Sequence, residues 1–195
     1  MTKDSSIDYS NRVPLEGVDD LFHRRWSPRA FDAKPVPQRD LEVIFEAARW
    51  SPSCFNEQPW RFLTSTESSR DRFLDALLEA NQAWAKTAPV LGFITTEKLF
   101  GRNDKPNDHA EFDAGAAWMA LTLQARMRGL YTHGMAGIHR DRIYEDFGID
   151  RQTTQLICAF ALGYIGNPEI LPDKYLATEK PSPRKPLADI WRPIS

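Results

Sequence analysis

Two short stretches of the sequence carry side chains suited to binding an anion and a polar ring. In the first, Arg25, Ser27 and Arg29 place two guanidiniums and a hydroxyl within five residues. Guanidiniums form paired, charge-assisted hydrogen bonds with phosphate oxygens. This spacing predicts a site for a phosphate and for the electron-rich edge of a ring. The alternative, which is the commoner case in an arbitrary protein, is that the cations only complement the carboxyl end of a helix.

The second stretch is a loop that contains Pro52, Ser53, Cys54, Asn56 and Gln58. Its amide side chains offer donors and acceptors to the nitrogens and carbonyls of a planar heterocycle. Serine and asparagine are also ordinary turn residues, so the loop alone is a weak signal. We interpret its cysteine as a small packing residue, because the sequence shows no neighbouring histidine and no clear helix start that would make the thiol a nucleophile.

Two more segments are candidates for contacts with the same ligand. Arg184 and Lys185 join the first stretch at one phosphate only if the C-terminal tail returns to it. Met135, Ala136 and Gly137 end a predicted strand, where small residues let backbone N–H groups approach a ligand. A plain turn is an equally good interpretation of that strand end.

Other kinds of catalytic site find no support in the sequence. The four histidines, at positions 23, 109, 133 and 139, form no i, i+4 pair and no HExxH pattern, so we assign no metal site. The chain has no GxGxxG after a strand, no P-loop motif and no Gly-x-Ser-x-Gly. A reaction carried by a bound organic cofactor would explain a binding site without a catalytic triad or a metal.

The composition is that of an ordinary globular chain. Of its 195 residues 42% are hydrophobic and 11% aromatic, which is enough for one domain with a buried core. The 25 basic and 27 acidic residues leave a net charge of −2, which excludes a global field that attracts nucleic acid or an anionic membrane. We expect one domain over residues 1–195, with a loose arm at 1–14 and an extended, proline-rich tail at 166–195.

The sequence also predicts the cellular setting. Cys54 and Cys158 are too few and too isolated for a disulfide framework. The polar N-terminus lacks the apolar segment of a signal peptide, and the apolar runs are far shorter than the ~20 residues that a membrane helix needs. We therefore expect a cytoplasmic protein.

Hydrophobic periodicity predicts helices around a few strands, in a three-layer α+β domain. The first stretch ends a helix that stops before Pro28, and the second stretch lies between a helix that Pro37 opens and a strand. Predicted strands cover residues 60–64, 90–94, 131–138 and 156–164. Later helices are predicted at 67–78, 108–128 and 140–147. The helix at 108–128 is apolar on most sides, so we expect it to be enclosed, with its small residues 114–117 against another backbone of the same or a second chain.

In these residues the chain resembles the nitroreductase family of flavin mononucleotide (FMN) enzymes. The resemblance extends from Phe22 to Trp191 and rests on an ordered set of motifs. They are Arg-x-Ser-x-Arg-x-Phe at 25–31, a Val-Pro helix start that leads to Glu-Ala-Ala-Arg at 36–49, Pro-Ser followed by Asn-x-Gln-Pro-Trp at 52–60, Asp-Ala-Gly-Ala-Ala at 113–117, and Arg-Lys-Pro-Leu at 184–187. The resemblance implies a central, mostly antiparallel sheet flanked by helices, in an intertwined homodimer. FMN would lie in each of two clefts between the subunits.

The family pattern also implies roles for the matching residues. Arg25 and Ser27 would contact the ribityl phosphate, and Arg184 and Lys185 would close on the phosphate from the tail. Arg29 would lie near flavin N1 and O2, where a positive charge makes reduction of the ring easier.

The remaining contacts would come from the second loop and from the strand end. Pro52, Ser53 and Asn56 would reach the cofactor from the other subunit, with Cys54 and Gln58 in the same loop. Backbone N–H groups around Ala136 and Gly137, next to Met135, would address flavin O4 and N5.

Three positions depart from the family pattern. Trp26 stands where many members carry a basic residue or histidine, Cys54 replaces a hydroxyl residue, and Asp189 stands where glutamate is common. We count Trp26 and Cys54 among the residues expected at the cofactor. The change at Asp189 is expected to matter little.

The resemblance implies a ping-pong reaction without a catalytic acid from the protein. A nicotinamide cofactor, NADH or NADPH, would deliver hydride to flavin N5 and leave, and a flat acceptor such as a nitroaromatic or quinone would then take its place. We look for the aromatic walls of that pocket among Trp84, Phe100, Phe112 and Trp118. Two alternatives stay open. One is the same fold with an aldehyde, enone or halogenated aromatic as acceptor, and the other is a protein that stores or senses FMN without turnover.

Overall fold

A four-stranded antiparallel sheet forms the centre of the molecule. The structure, a computed structural model, describes residues 7–194. The strands are β1 (Trp60–Thr64), β2 (Val90–Glu97), β3 (Tyr131–Met135) and β4 (Thr154–Gly163). Their order across the sheet is β1, β2, β4, β3, and every neighbouring pair is antiparallel. A register shift between Ile94 and Thr95 marks an irregularity in the pairing of β2 with β4.

Seven helices surround the sheet in the described part of the chain. They are α1 (Asp20–Arg24), α2 (Gln38–Arg49), α3 (Arg70–Asp75), α4 (Glu79–Ala85), α5 (Ala110–Met127), α6 (Arg140–Asp146) and α7 (Asp173–Leu176). Single 3-10 turns lie at Cys54–Asn56, Pro168–Ile170 and Leu187–Asp189. None of these helices, within residues 7–194, is long and apolar enough to cross a bilayer.

The alternation of side chains along the strands creates two cores. On β2, Leu91 and Phe93 belong to one core, and Val90 and Ile94 belong to the other. Successive residues of a strand point to opposite faces of the sheet, so the two cores lie on its two sides. Buried residues of α3, α4 and α6 complete the first core, and those of α2 and α5 complete the second. The predicted three-layer α+β architecture is thereby confirmed.

Two predicted elements have different bounds in the structure. The helix predicted at 67–78 is only α3, because Leu77 pairs with Ile138 in an isolated bridge and the Leu78 N–H donates to Gly137 O at 3.0 Å. The same contacts end the predicted strand 131–138 early, at Met135. Long-range pairing has overridden the local periodicity in both places. In addition, Pro37 caps α2 from outside and is not its first residue.

The long helix α5 has two apolar faces, and the single chain buries only one of them. The expectation that α5 is enclosed on most sides is therefore wrong for one chain by itself. Phe112 is 80% exposed, Met127 65% and Met119 37%. These residues lie on one side of the helix, since a step of seven residues is almost two whole turns and the step of eight from Met119 to Met127 adds a rotation of only about 80°. A Cβ on Gly115 would also meet no heavy atom of residues 7–194 within 4 Å, so this face is open in the described part of the chain.

Candidate functional site

The first stretch is extended backbone that leaves the end of α1 and lies beside the end of β4. We call residues 25–31 the anion segment. Arg25 has extended φ and ψ, the Gly166 N–H donates to Ala30 O at 2.7 Å, and Phe31 pairs with Ile165. In extended backbone the side chains alternate. Arg25, Ser27 and Arg29 consequently share the half-buried outer face of the segment.

The same alternation turns Trp26 towards the interior. Its side chain is 6% exposed, and its ring packs edge-on against Tyr131 with centroids 6.3 Å apart. The structure therefore corrects the prediction for Trp26, which is a core residue on the face opposite to Arg25 and Ser27.

Three guanidiniums converge at the start of the anion segment. Arg25 Nη1 lies 3.4 Å from Ser27 Oγ. Burial, and then the charge of Arg184, lower the pKa of Arg25. Burial, and then the charges of Arg184 and Arg25, lower the pKa of Arg12. The C-terminal tail thus does return to the anion segment, and the three cations repel one another there.

These cations have no acidic partner in the described part of the chain. Between residues 7 and 194, no carboxylate lies within 4 Å of the guanidinium nitrogens of Arg12, Arg25 or Arg184. Arg12 and Arg25 are partly buried, and partly buried charges of one sign without a counter-charge are unfavourable in the free protein. An anionic ligand with several oxygens, such as a phosphate, would relieve that repulsion.

Arg12 is a residue of this site that sequence reasoning missed. Its Nη1 donates to the carbonyl oxygens of His23 and Arg25, both at 2.7 Å, and its Nε donates to Ser182 O at 2.8 Å. Asn11 Nδ2 likewise donates to Pro181 O at 2.7 Å. Arg12 therefore ties the N-terminal arm, the end of α1 and the tail together beside Arg25.

His133 on β3 holds the middle of the anion segment, and it too was assigned no role from the sequence. Its Nδ1 lies 2.9 Å from Pro28 O, which can only accept, so Nδ1 carries the proton. Burial lowers the pKa of His133 to about 4, against the ordinary value of 6.5, although the bonds to Pro28 and Ser27 oppose this effect. At neutral pH the ring is uncharged and fixes the backbone between Arg25 and Arg29.

Because the pKa of His133 is lowered in the folded protein, we expect the protein to lose stability in mild acid. Between its folded pKa of about 4 and its ordinary value of 6.5, the unfolded chain binds a proton that the folded chain does not, so stability falls as the pH falls through this window. We expect about 2 kcal/mol less free energy of unfolding at about pH 5 than at about pH 7.5 from this group. His133→Gln should remove that part of the pH dependence in urea unfolding. An identical pH profile for both proteins would contradict the assignment.

Arg29 is held by the tail on the far side of the segment. Glu179 Oε1 accepts hydrogen bonds from the N–H groups of Arg29 and Ala30, at 2.7 and 2.8 Å. Glu179 Oε2 lies 3.9 Å from Arg29 Nη1. The guanidinium of Arg29 also lies over the ring of Tyr175, 5.5 Å from its centroid. The outer face of the anion segment thus ends in a cation with a fixed position.

The second stretch forms a loop with an unusual backbone. Phe55, Asn56 and Gln58 have φ values of 52°, 59° and 48°, in the left-handed region that residues other than glycine rarely adopt. Each such residue costs about 1–3 kcal/mol unless its surroundings enforce it. Here the Gln58 N–H donates to Ser53 Oγ at 3.0 Å, and Gln58 Nε2 donates to Asn56 O at 2.9 Å. Several amide and hydroxyl groups of the loop are therefore used to fix its own shape.

Contacts outside the loop attach it to α5 and to the segment after β2. Asp113, which is 3% exposed, accepts the Cys54 N–H at 3.0 Å through Oδ2. The Arg102 guanidinium lies 3.6 Å from the centroid of the Phe55 ring and 5.2 Å from that of Phe100. Within residues 7–194 no hydrogen bond or ion pair joins the loop to the anion segment. One chain therefore does not bring its two stretches together.

The strand end at 135–137 lies close to the anion segment through His133. Gly137 O accepts the Leu78 N–H at 3.0 Å and Asn81 Nδ2 at 2.9 Å. A Cβ on Gly137 would come within 2.8 Å of Asn81 Nδ2, so the Asn81 amide would have to shift if this residue were larger. Met135 is buried and Ala136 is exposed, so the accessible part of this strand end is backbone and a methyl group.

The aromatic residues expected around a substrate have different surroundings. Trp84 is 2% exposed and lies between Phe31 and His133, with ring centroids 6.3 and 4.5 Å away. Its assignment to a substrate pocket is wrong, because it is a core residue. Trp118 is half-buried against Phe160, at 5.6 Å between centroids.

The other two aromatic residues border surfaces. Phe100 is half-buried and meets Phe55 edge-on at 5.9 Å, so it adjoins the second stretch. Phe112 lies on the open face of α5. Lys185 is exposed, next to Arg184 in the tail.

Comparison with known proteins agrees with this architecture. The model of the nitroreductase family matches residues 23–83 and 78–164. A solved oxidoreductase that contains FMN is 42% identical, with a TM-score of 0.88 over 93% of this chain and 94% of the other. A nitroreductase family protein from Streptococcus pneumoniae TIGR4 shares the fold at 19% identity, with a TM-score of 0.72 over 90% of this chain and 98% of that one.

Similar sequences with names point the same way. A Streptomyces coelicolor protein whose name pairs NADH dehydrogenase with NAD(P)H nitroreductase is 33% identical over 90 residues, which are 46% of this chain and 45% of the relative. The nitrobenzene nitroreductase of Ectopseudomonas oleovorans is 36% identical over 72 residues, 37% of this chain and 32% of the relative. This chain thus spans less than half of the length of these two relatives. With its family model matched over most of the chain and its fold shared at high similarity, the protein belongs to the nitroreductase family.

Proposed function

We propose that this protein is an FMN-dependent oxidoreductase that takes hydride from NADH or NADPH and gives it to a flat acceptor. The observation that carries the proposal is the group of guanidiniums at the anion segment, for which residues 7–194 provide no carboxylate partner. Arg25, Arg12 and Arg184 repel one another, and Ser27 adds a hydroxyl beside them. This donor set fits a phosphate dianion, the charged end of FMN.

The residues of the chain have separate tasks towards such a cofactor. Arg25, Ser27, Arg184 and Lys185 would hold its phosphate. Arg29, at the other end of the outer face, would place positive charge at the ring edge and favour the negative charge that reduction brings there. When bound, FMN supplies the hydride-transfer chemistry itself in a ping-pong sequence, so no catalytic acid or base of the protein is required.

We further propose that each site is built from two copies of this chain. Two observations support this. Among residues 7–194, the 52–58 loop is bonded to Asp113 and contacts Arg102, and no hydrogen bond or ion pair joins it to the anion segment of the same chain. The face of α5 with Phe112, Met119 and Met127 is exposed, and a second copy of the chain would cover these apolar side chains. Pro52, Ser53 and Asn56 would then complete the site of the partner.

For the acceptor, we propose nitroaromatics and quinones. Support comes from the names of the relatives and from the exposed Phe55, which with Phe100 offers aromatic surface beside the loop that would face the partner's site. Trp118 and Phe112 remain proposed borders of this pocket, whereas Trp84 is not.

The function is tested by the visible spectrum of the FMN-reconstituted protein without oxygen. We expect NADH or NADPH to bleach the flavin bands, and a quinone or nitroaromatic to restore them. Flavin that is bound but never bleached would identify a storage or sensing protein. Flavin that is bleached, and then restored only by an aldehyde, enone or halogenated aromatic, would change the acceptor class. A protein that binds no FMN would contradict the proposal altogether.

A further inference from the structure

A carboxylate is buried directly behind Arg29. Glu179 lies 150 residues away from Arg29 in sequence, and its side chain is 3% exposed. Oε1 accepts the two backbone N–H groups of Arg29 and Ala30. Oε2 is buried, has no hydrogen-bond partner among residues 7–194, and lies 3.9 Å from Arg29 Nη1. Both carboxylate oxygens of Glu179 therefore interact with Arg29. Oε1 binds its backbone N–H, and Oε2 lies near its charged guanidinium.

If Glu179 served only to accept the two backbone hydrogen bonds, the burial of its negative charge would be an unnecessary free-energy cost. Burial disfavours the ionised form and raises the pKa of Glu179, although the two N–H groups and Arg29 act against this effect. A glutamine would accept the same two hydrogen bonds through its amide oxygen without a buried charge. We therefore attribute the role of the carboxylate charge to its ion pair with Arg29.

The tail around Glu179 is fixed to the body of the protein, so the pair has a defined position. The hydroxyl of Tyr175 donates to Ala80 O at 2.5 Å, and its ring lies beneath the Arg29 guanidinium. Arg29 is itself less than one third exposed. Its guanidinium is held between a ring and a carboxylate, both of which belong to the same stretch of tail.

We propose that Glu179 is a positioning residue, which fixes the Arg29 guanidinium and reduces the share of its positive charge that acts on the cofactor ring. The inference rests on the proposed function, because it requires FMN beside Arg29. Opposite charges close together produce a field that weakens faster with distance than that of Arg29 alone. Removing the carboxylate charge should make the bound flavin easier to reduce.

The test is Glu179→Gln in the full-length protein with FMN. Binding of reduced FMN, relative to oxidised FMN, should strengthen about tenfold, which is a rise of about 30 mV in the two-electron reduction potential. Asp173→Asn removes an exposed carboxylate from the same tail and should change this ratio less than about twofold. In an Arg29→Gln background, Glu179→Gln should have no further effect, because Glu179 acts through Arg29.

A second measurement separates this role from a purely structural one. Without FMN, Glu179→Gln should unfold no more than about 2 °C below the wild type, since the backbone contacts remain and a buried charge is gone. If Glu179→Gln does not fold, Glu179→Asp must retain the wild-type potential, and a tenfold shift in that variant would overturn the inference.

The measurements distinguish failure of the proposed role of Glu179 from failure of the proposed FMN-dependent function. An unchanged potential in Glu179→Gln, or an equal shift with and without Arg29, overturns the positioning role while FMN binding stands. If the wild type binds no FMN, the proposed function and this inference fail together.

Discussion

Replacing Arg25 with glutamine is expected to weaken FMN binding about 100-fold. The guanidinium lies on the outer face of the anion segment, beside Ser27 and within reach of the charges of Arg184 and Arg12. One hydrogen bond to a charged group contributes about 1.5–3 kcal/mol, and a guanidinium makes up to two with a phosphate. Quenching of FMN fluorescence on titration with protein measures the dissociation constant directly.

Two controls test whether the loss of affinity is specific to Arg25 and to the phosphate. Arg24→Gln changes the neighbouring arginine, which is exposed and pairs with Asp20 at 3.2 Å, and should alter FMN affinity less than about twofold. Riboflavin lacks the phosphate, so its affinity should be nearly the same for the wild type and for Arg25→Gln. The free variant should also be no less stable than the wild type, because a partly buried, repelled charge has been removed. Equal losses for FMN and riboflavin would contradict a phosphate site at Arg25.

Much of the fold could be predicted because its signals are local. The prolines and the two kinds of hydrophobic periodicity located β1 at Trp60–Thr64 and placed α5 and α6 within two residues of their bounds. The errors occur where distant residues decide. Leu77 leaves the helical pattern to pair with Ile138, and no pattern within 67–78 records that partner. Trp84 is a large aromatic residue of the kind that often lines a pocket, but it packs against Phe31 in the core.

The same distinction applies to the site. Arg25, Ser27 and Arg29 could be found from their spacing, since an extended segment places alternate residues on one face. Arg12, His133 and Glu179 could not, because each acts on backbone groups that are remote in sequence. A sequence pattern shows which side chains are present, whereas hydrogen bonds from far-off residues to carbonyl and N–H groups depend on the fold. The left-handed backbone at Phe55 was likewise without a sequence signal, because a bulky side chain rarely adopts it.

Mixing two defective variants is expected to restore FMN binding if each site is shared between two chains. The first variant is Arg25→Gln. The second is Ser53→Ala with Asn56→Asp, where aspartate tolerates the left-handed backbone of position 56. In a mixed dimer, one cleft combines the intact anion segment of one chain with the intact loop of the other. The second cleft carries both defects, so half of the clefts in mixed dimers should recover.

The matched control uses two defects on the same half of the site. Arg184 adjoins Arg25 within one chain, so a mixture of Arg25→Gln with Arg184→Gln leaves one defect in every cleft. This mixture should recover no binding. Differently tagged chains, unfolded and refolded together, allow the mixed dimers to be purified before titration.

The number of FMN molecules bound per purified mixed dimer tests the account most directly. For Arg25→Gln paired with the Ser53→Ala and Asn56→Asp chain, we predict one tightly bound FMN per dimer, and none for Arg25→Gln paired with Arg184→Gln. No tight binding in either mixed dimer, or a protein that stays monomeric while it binds FMN tightly, would contradict a site built from the anion segment of one chain and the loop of another.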